Sequence, residues 1–152
     1  MRRHLMILTT LFTLAADQAA AYDLSQHQWR HRLLFLVAHD SNDPDLSAKQ
    51  REIELQRDAL FDRDVRVFLL LPENGFVDDD ALPTLTVARL REQLEVTPED
   101  RLLILMGKDG GIKRRTELHT DLRDIFLQID SMPMRRDEIR AKREAGMEVT
   151  TP

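Results

Sequence analysis

Apolar and polar residues are grouped along this chain in blocks that predict alternating strands and helices. Residues 33–38, LLFLVA, are apolar at every position, the mark of a strand covered on both faces. Residues 102–106, LLILM, read the same way, and residues 65–71 do so except at Arg66. A fourth strand is expected over residues 112–117, where Lys113, Arg114 and Arg115 predominate. Cations on a strand discourage further pairing, so this one belongs at an edge.

Helical periodicity fills the intervals. Between the first two strands Leu46, Ile53 and Leu60 recur on one face, and Pro44 and Asp45 suit a helix start. Asp58, Asp62, Arg63 and Asp64 make the exit from that helix polar. Val87, Leu90 and Leu94 mark a shorter helix before strand three, closed by Thr97-Pro98. After strand four, Leu122, Ile125, Phe126 and Ile129 follow the spacing i, i+3, i+4, i+7, with Thr120 as the expected cap. Pro133 interrupts this helix, and the densely charged stretch beyond it reads as a solvated helical extension with a frayed end.

The element order is β-α-β-α-β-β-α. A helix between strands one and two makes them parallel neighbours with a right-handed crossover. The two wholly apolar strands, first and third, belong in the middle. Gly107-Lys108-Asp109-Gly110-Gly111 joins strands three and four as a hairpin, its glycines supplying positive φ. Together these features predict an α/β, thioredoxin-like fold with a mixed four-stranded sheet of order 4-3-1-2 flanked by helices.

The amino terminus changes the picture of where this domain works. Arg2, Arg3 and His4 precede an apolar run over residues 5–16, and Ala19-Ala20-Ala21 offers the small side chains that signal peptidase accepts. Residues 1–21 are therefore expected to be a signal peptide, leaving Tyr22 first in a chain without stable membrane insertion. The expected divisions are residues 1–21, a domain over 22–132, and a charged extension over 133–152. The destination is the periplasm or the extracellular space. Cleavage removes Arg2, Arg3 and Asp17, making the formal charge of −5 one unit more negative. An acidic balance argues against nucleic acid as a partner. The chain has no cysteine, so thiol catalysis and thiolate metal ligation fall together.

Candidate chemistry is sparse. In such a sheet the natural site lies beyond the carboxyl end of the first strand, where His39, Asp40 and Ser41 stand. His39 and Asp40 are candidate site residues there, but strand neighbours point to opposite faces and no triad with Ser41 or Ser47 is evident. A calcium loop starting at Asp40 fails at Pro44 and Arg51, and Asp78-Asp79-Asp80 reads as an acidic turn. His27 and His31, four apart, suggest half of a zinc site without a third ligand. Trp29 between them reads as a packing residue covering the sheet edge. A phosphate-loop reading of Gly107-Lys108 fails, because Leu102 and Asp109 occupy required positions. Lys113 and Arg115 share one strand face by alternation and could bind an anionic partner, but protection of the edge explains the same residues and is the favoured reading; Lys108 and Trp29 complete the candidate binding residues. No motif indicates a cofactor or a metal.

Trp29 with Arg32-Leu33-Leu34, the hairpin running to Arg115, and residues 129–136, IDSMPMRR, together resemble a bacterial exported family of unknown function. That family is similar to the DUDES domain of vertebrate extracellular-matrix proteins, the sushi-repeat proteins among them. The resemblance spans about residues 22–143. It implies a peroxiredoxin- or thioredoxin-like fold, export and no established activity. The expected function is therefore a non-catalytic thioredoxin-like module that binds a protein or envelope component. The rival readings are a cysteine-independent enzyme working near His39 and Asp40, and a weak metal-binding protein built on His27 and His31.

Overall fold

The structure, a computed structural model, describes residues 22–150. The expected signal peptide and its cleavage point after Ala21 lie outside the described residues. A 3-10 turn at Leu24–His27 leads into β1 (Arg32–Val37), followed by α1 (Pro44–Leu55), α2 (Arg57–Asp62) and β2 (Val65–Leu70). A small excursion, β3 (Gly75–Val77) and β4 (Asp80–Ala81), precedes α3 (Thr84–Gln93). The chain then forms β5 (Leu102–Met106), β6 (Ile112–Glu117), α4 (Leu122–Ser131) and α5 (Pro133–Glu144). Among the described residues no helix is long and apolar enough to cross a membrane.

The sheet has six strands in the order β4-β3-β2-β1-β5-β6. The four expected strands occur in the expected order, but the expected count of four is corrected by β3 and β4. β1 pairs parallel with β2 and antiparallel with β5, placing Leu34 beside Val67 and Leu105, and Phe35 beside Phe68 and Ile104. Every residue of β1 is buried, as an uninterrupted apolar run at the centre of a covered sheet requires. Alternation sends Leu34 and Leu36 into the core shared with α1, α2 and α4, and Leu33, Phe35 and Val37 into the core under α3.

Local chemistry sets the helix ends. Asp43 caps α1, its Oδ1 accepting the amide of Asp45 at 2.8 Å, while Pro44 takes the first helical position. For α4 the cap is Asp121, accepting the Arg123 amide at 2.7 Å; the expected cap Thr120 instead bonds Thr116. Glu52 of α1 accepts the Leu122 amide at 2.7 Å, so one helix covers another's amino end. The stripe Leu122, Ile125, Phe126 and Ile129 is fully buried.

The expected solvated extension is corrected most sharply. Arg135 of α5 has no solvent exposure, nor has Arg63, and Arg32 has 1 %. Arg135 reaches the Asp62 carboxylate at 2.5 Å and Asp130 at 3.1 Å. Arg63 forms a fork with both oxygens of Asp130, at 3.0 and 2.6 Å, and its guanidinium lies 4.5 Å over the Phe126 ring. Arg32 makes the same fork with Glu138 of α5, at 3.1 Å twice. Lys108 bridges Glu138 and Asp64, and Lys142 bonds Asp62. The helix docks through ions because backbone carbonyls meet only part of each buried guanidinium, and carboxylates supply the compensating charge.

Removing one partner from such a group leaves the others buried and unpaired, which costs about 3–5 kcal/mol. Arg135→Ala should lose stability on that scale in urea melts. Arg57→Ala, whose partners Glu54 and Asp79 are exposed, should shift by no more than about 0.5 kcal/mol. Equal shifts in the two variants would refute the assignment of α5 to the folded body.

Candidate functional site

The carboxyl end of β1, where the fold would place chemistry, is closed by an ion pair. Arg101 grips both oxygens of Asp43, at 2.5 and 2.9 Å, and also reaches Asp45 at 2.6 Å. The Arg101 fork, then the amides of Asp45 and Leu46, hold the Asp43 carboxyl below the usual carboxylate range against the opposing effect of burial. The negative charge that the start of α1 favours is thus supplied by its own cap. His39 is exposed, and its Nδ1 lies 3.4 Å from the Pro98 carbonyl. Asp40 is exposed and accepts the Asn42 amide at 3.1 Å in a turn of its own. Ser41 meets only the Asp40 oxygen, at 3.4 Å. These residues do not assemble into a nucleophile with its base.

The hairpin candidates also separate. Lys108 is buried within the ion group around Glu138. A bulge in β6 leaves Lys113 without a register partner between Ile112 and Arg114, breaking the alternation expected to align it with Arg115. Lys113 pairs with Asp109 at 2.5 Å, while Arg115 donates to the Leu94 carbonyl at 2.6 Å, at the end of α3. Gly110 has φ +80°, and Gly111 is not in the left-handed region, so only one glycine of the pair meets the turn's need. Trp29 is corrected as well: it is 62 % exposed, with φ +64°, and does not cover the sheet edge. Its amide donates to the Lys108 carbonyl at 2.6 Å, and that bond holds the reversal from the 3-10 turn into β1.

His27 and His31 do meet. Their Nδ1 atoms are 3.2 Å apart, and the Tyr22 hydroxyl contacts the far nitrogen of His27 at 2.6 Å. Burial, then the neighbouring His31 and Arg66, lower the pKa of His27; burial, then Arg66, lower that of His31. Among the described residues no group of three or more metal-ligating side chains forms around them or elsewhere.

A wide concavity lies elsewhere, along β2. It is an open groove of about 790 Å³, floored by Val67, Leu69 and Phe76 and walled by Ile53, Leu60 and Phe61. The register sets Leu69 beside Phe76 on one face of the sheet. α1, α2 and α4 pack over β1, β5 and the near side of β2 on this face; Val67 and Leu69 are left half-buried against them, and Phe76 of β3 is more exposed still. Phe61 is 83 % exposed at the rim. Arg57 faces Asp79 across the mouth at 3.8 Å, and His31 closes one end. The sequence did not reveal this groove: Ile53, Leu60, Val67 and Leu69 belong to segments that read as core, and Phe76 stands in a strand too short to show a period.

A mixed sheet with β1 at its centre and helices on both faces is a thioredoxin-like fold. Two solved structures share it: thioredoxin peroxidase I of Plasmodium yoelii and a Plasmodium yoelii Prx1a modified at its N-terminus. The first superposes with TM-score 0.52 at 12 % identity, covering 84 % of this chain and 82 % of the other. The second gives TM-score 0.51 at 11 % identity, covering 83 % of each. Likeness at that identity speaks for fold alone. By sequence, the chain belongs to the family described as Domain of unknown function (DUF4174), which matches residues 23–138. It is also similar to coiled-coil domain-containing protein 80 of Danio rerio, 29 % identical over 143 residues. That match takes in 82 % of this chain and 16 % of the much longer fish protein.

The histidine pair gives a pH dependence with a definite sign. Groups whose pKa falls on folding bind more protons in the unfolded chain, so stability is full above the free imidazole value of 6.5 and declines as pH drops below it. Stability should rise from pH 5 to pH 7, by at most about 1.4 kcal/mol per pH unit for each proton involved. His27→Gln with His31→Gln should flatten that slope in urea melts. An unchanged slope in the double variant would place its origin in other groups.

Proposed function

We propose that this protein is an exported, non-catalytic thioredoxin-fold module that binds a protein of the envelope or extracellular space through the groove along β2. The observation that carries the reading is the groove itself. It is a half-covered stretch of sheet bordered by Phe61, a large apolar side chain left almost wholly in water, with Phe76 partly exposed on its floor. An apolar patch of this kind on a folded chain marks an interaction surface. Burying one such side chain contributes about 1.5–3 kcal/mol. The absence of cysteine and the ion pair closing the carboxyl end of β1 support a binding role over thiol turnover. The basic, apolar and alanine-rich start of the chain supports export, in keeping with the exported bacterial family resembling the DUDES domain of matrix proteins.

The test uses protein secreted by cells that make the full chain. Its amino terminus should read Tyr22 or a residue within one or two of it, and it should neither consume peroxide nor reduce disulfides. Affinity capture from the native envelope should recover a discrete protein. Phe61→Ser with Phe76→Ser should lose that protein, and His39→Ala with Asp40→Ala should retain it. Retention of Met1, peroxide turnover, or capture unaffected by the groove variant would overturn the proposal.

A further inference from the structure

Resting on that reading, we infer that the groove's occupant is an amphipathic α-helix of the partner, carrying a basic flank. Strands in a sheet lie about 4.8 Å apart, so the strip formed by β2 and β3 is about 10 Å wide, the diameter of one helix. On this face the neighbouring strands are covered by α1, α2 and α4, so a helix laid along β2 would complete the layer. A strand cannot enter in the usual way. β2 is hydrogen-bonded to β1 on one side and β3 on the other, leaving no free edge in the groove floor for an added strand to pair with. A helix satisfies its own backbone and needs only apolar contact from the floor.

Aromatic anchors stand on both sides, Phe61 on the α2 wall and Phe76 on the β3 side of the floor. The rim charge then selects the flank. Glu54, Asp64, Asp78 and Asp79 line the groove against Arg57 and Arg66. Arg57 is drawn to Glu54 at 2.5 Å and Arg66 to Asp78, while Asp64 is neutralised by Lys108. Asp79 is left 87 % exposed with Arg57 no nearer than 3.8 Å. A lysine or arginine on the incoming helix would find its partner there, and an acidic one would be repelled.

Two labelled helical peptides of about 18 residues, five turns, test the inference by fluorescence anisotropy with the mature protein. They share one leucine stripe and differ in having lysines or glutamates on the flank. The lysine peptide should bind about tenfold more tightly than the glutamate peptide. Phe61→Ser should weaken it about tenfold with no change in thermal midpoint, since that ring is already in water. Asp79→Lys should remove the preference between the two peptides. Equal binding of the peptides, no binding of either, or indifference to both variants would overturn the inference. So would sedimentation showing dimers that Phe61→Ser dissolves, which would make a second copy the occupant. If groove variants lose the captured envelope protein while the peptides show no preference, the binding role stands and the helix is wrong. If capture ignores the groove, both fall.

Discussion

Three arginines with essentially no access to water, Arg32, Arg63 and Arg135, set the constraint on which the rest of the molecule depends. A guanidinium cannot shed its proton to escape burial, so each must find carboxylates at close range. Asp62, Asp130 and Glu138 provide them. Those carboxylates come from the end of α2, the end of α4 and the middle of α5. Burial alone raises the carboxyls of Asp62 and Glu138. Their bonds to Lys142 and Arg135, and to Arg32 and Lys108, more than offset it and hold both below the usual range. The last helix is thereby tied to the start of the first strand without a sizeable apolar face of its own. Well-packed apolar residues often do as well energetically. What ions add is register, since each fork accepts one geometry.

That tie lies at the amino end of β1, whereas a thioredoxin-like fold places chemistry at the carboxyl end. The two ends are treated differently in this chain. At the carboxyl end a single fork, Arg101 on Asp43, serves as cap and closure. At the amino end a group of charges drawn from five segments holds the hairpin, α2, α4 and α5 together. The segments around Arg32, the hairpin and residues 129–136 supply Arg32, Lys108, Asp130 and Arg135 to this group.

The sheet was legible because its central strands leave no choice: an apolar run without alternation must be covered on both faces, and cations mark the edge. The stripe of α4 was legible for the same reason of periodicity. β3 and β4 were not, since strands of three and two residues show no period and three aspartates hide the turn between them. The docking of α5 was hidden by chemistry. Arg135, Glu138 and Lys142 fall at i, i+3 and i+7, the spacing of a buried helix face, but charged residues at that spacing read as solvated. Only partners about 30 to more than 100 positions away reveal otherwise. Of the candidate site residues, the structure gathers none into a catalytic group: Lys108 went to the core, Lys113 and Arg115 to separate partners, and Trp29 to solvent.

The groove follows from the same economy of layers. The connection between β1 and β2 uses both of its helical pieces, α1 and α2, over β1 and the near edge of β2. The excursion through β3 and β4 then widens the sheet by two strands without adding a helix to cover them on that face. On the other face α3 does the covering, and Val77 packs beneath it. The register therefore gives neighbouring residues of β3 opposite fates: Val77 is buried under α3, while Phe76 is left 36 % exposed. An extra hairpin packs on one face and leaves a half-covered strip of sheet on the other. The groove arises from strand count and layer geometry, and owes nothing to the thiol chemistry that this chain, without cysteine, lacks.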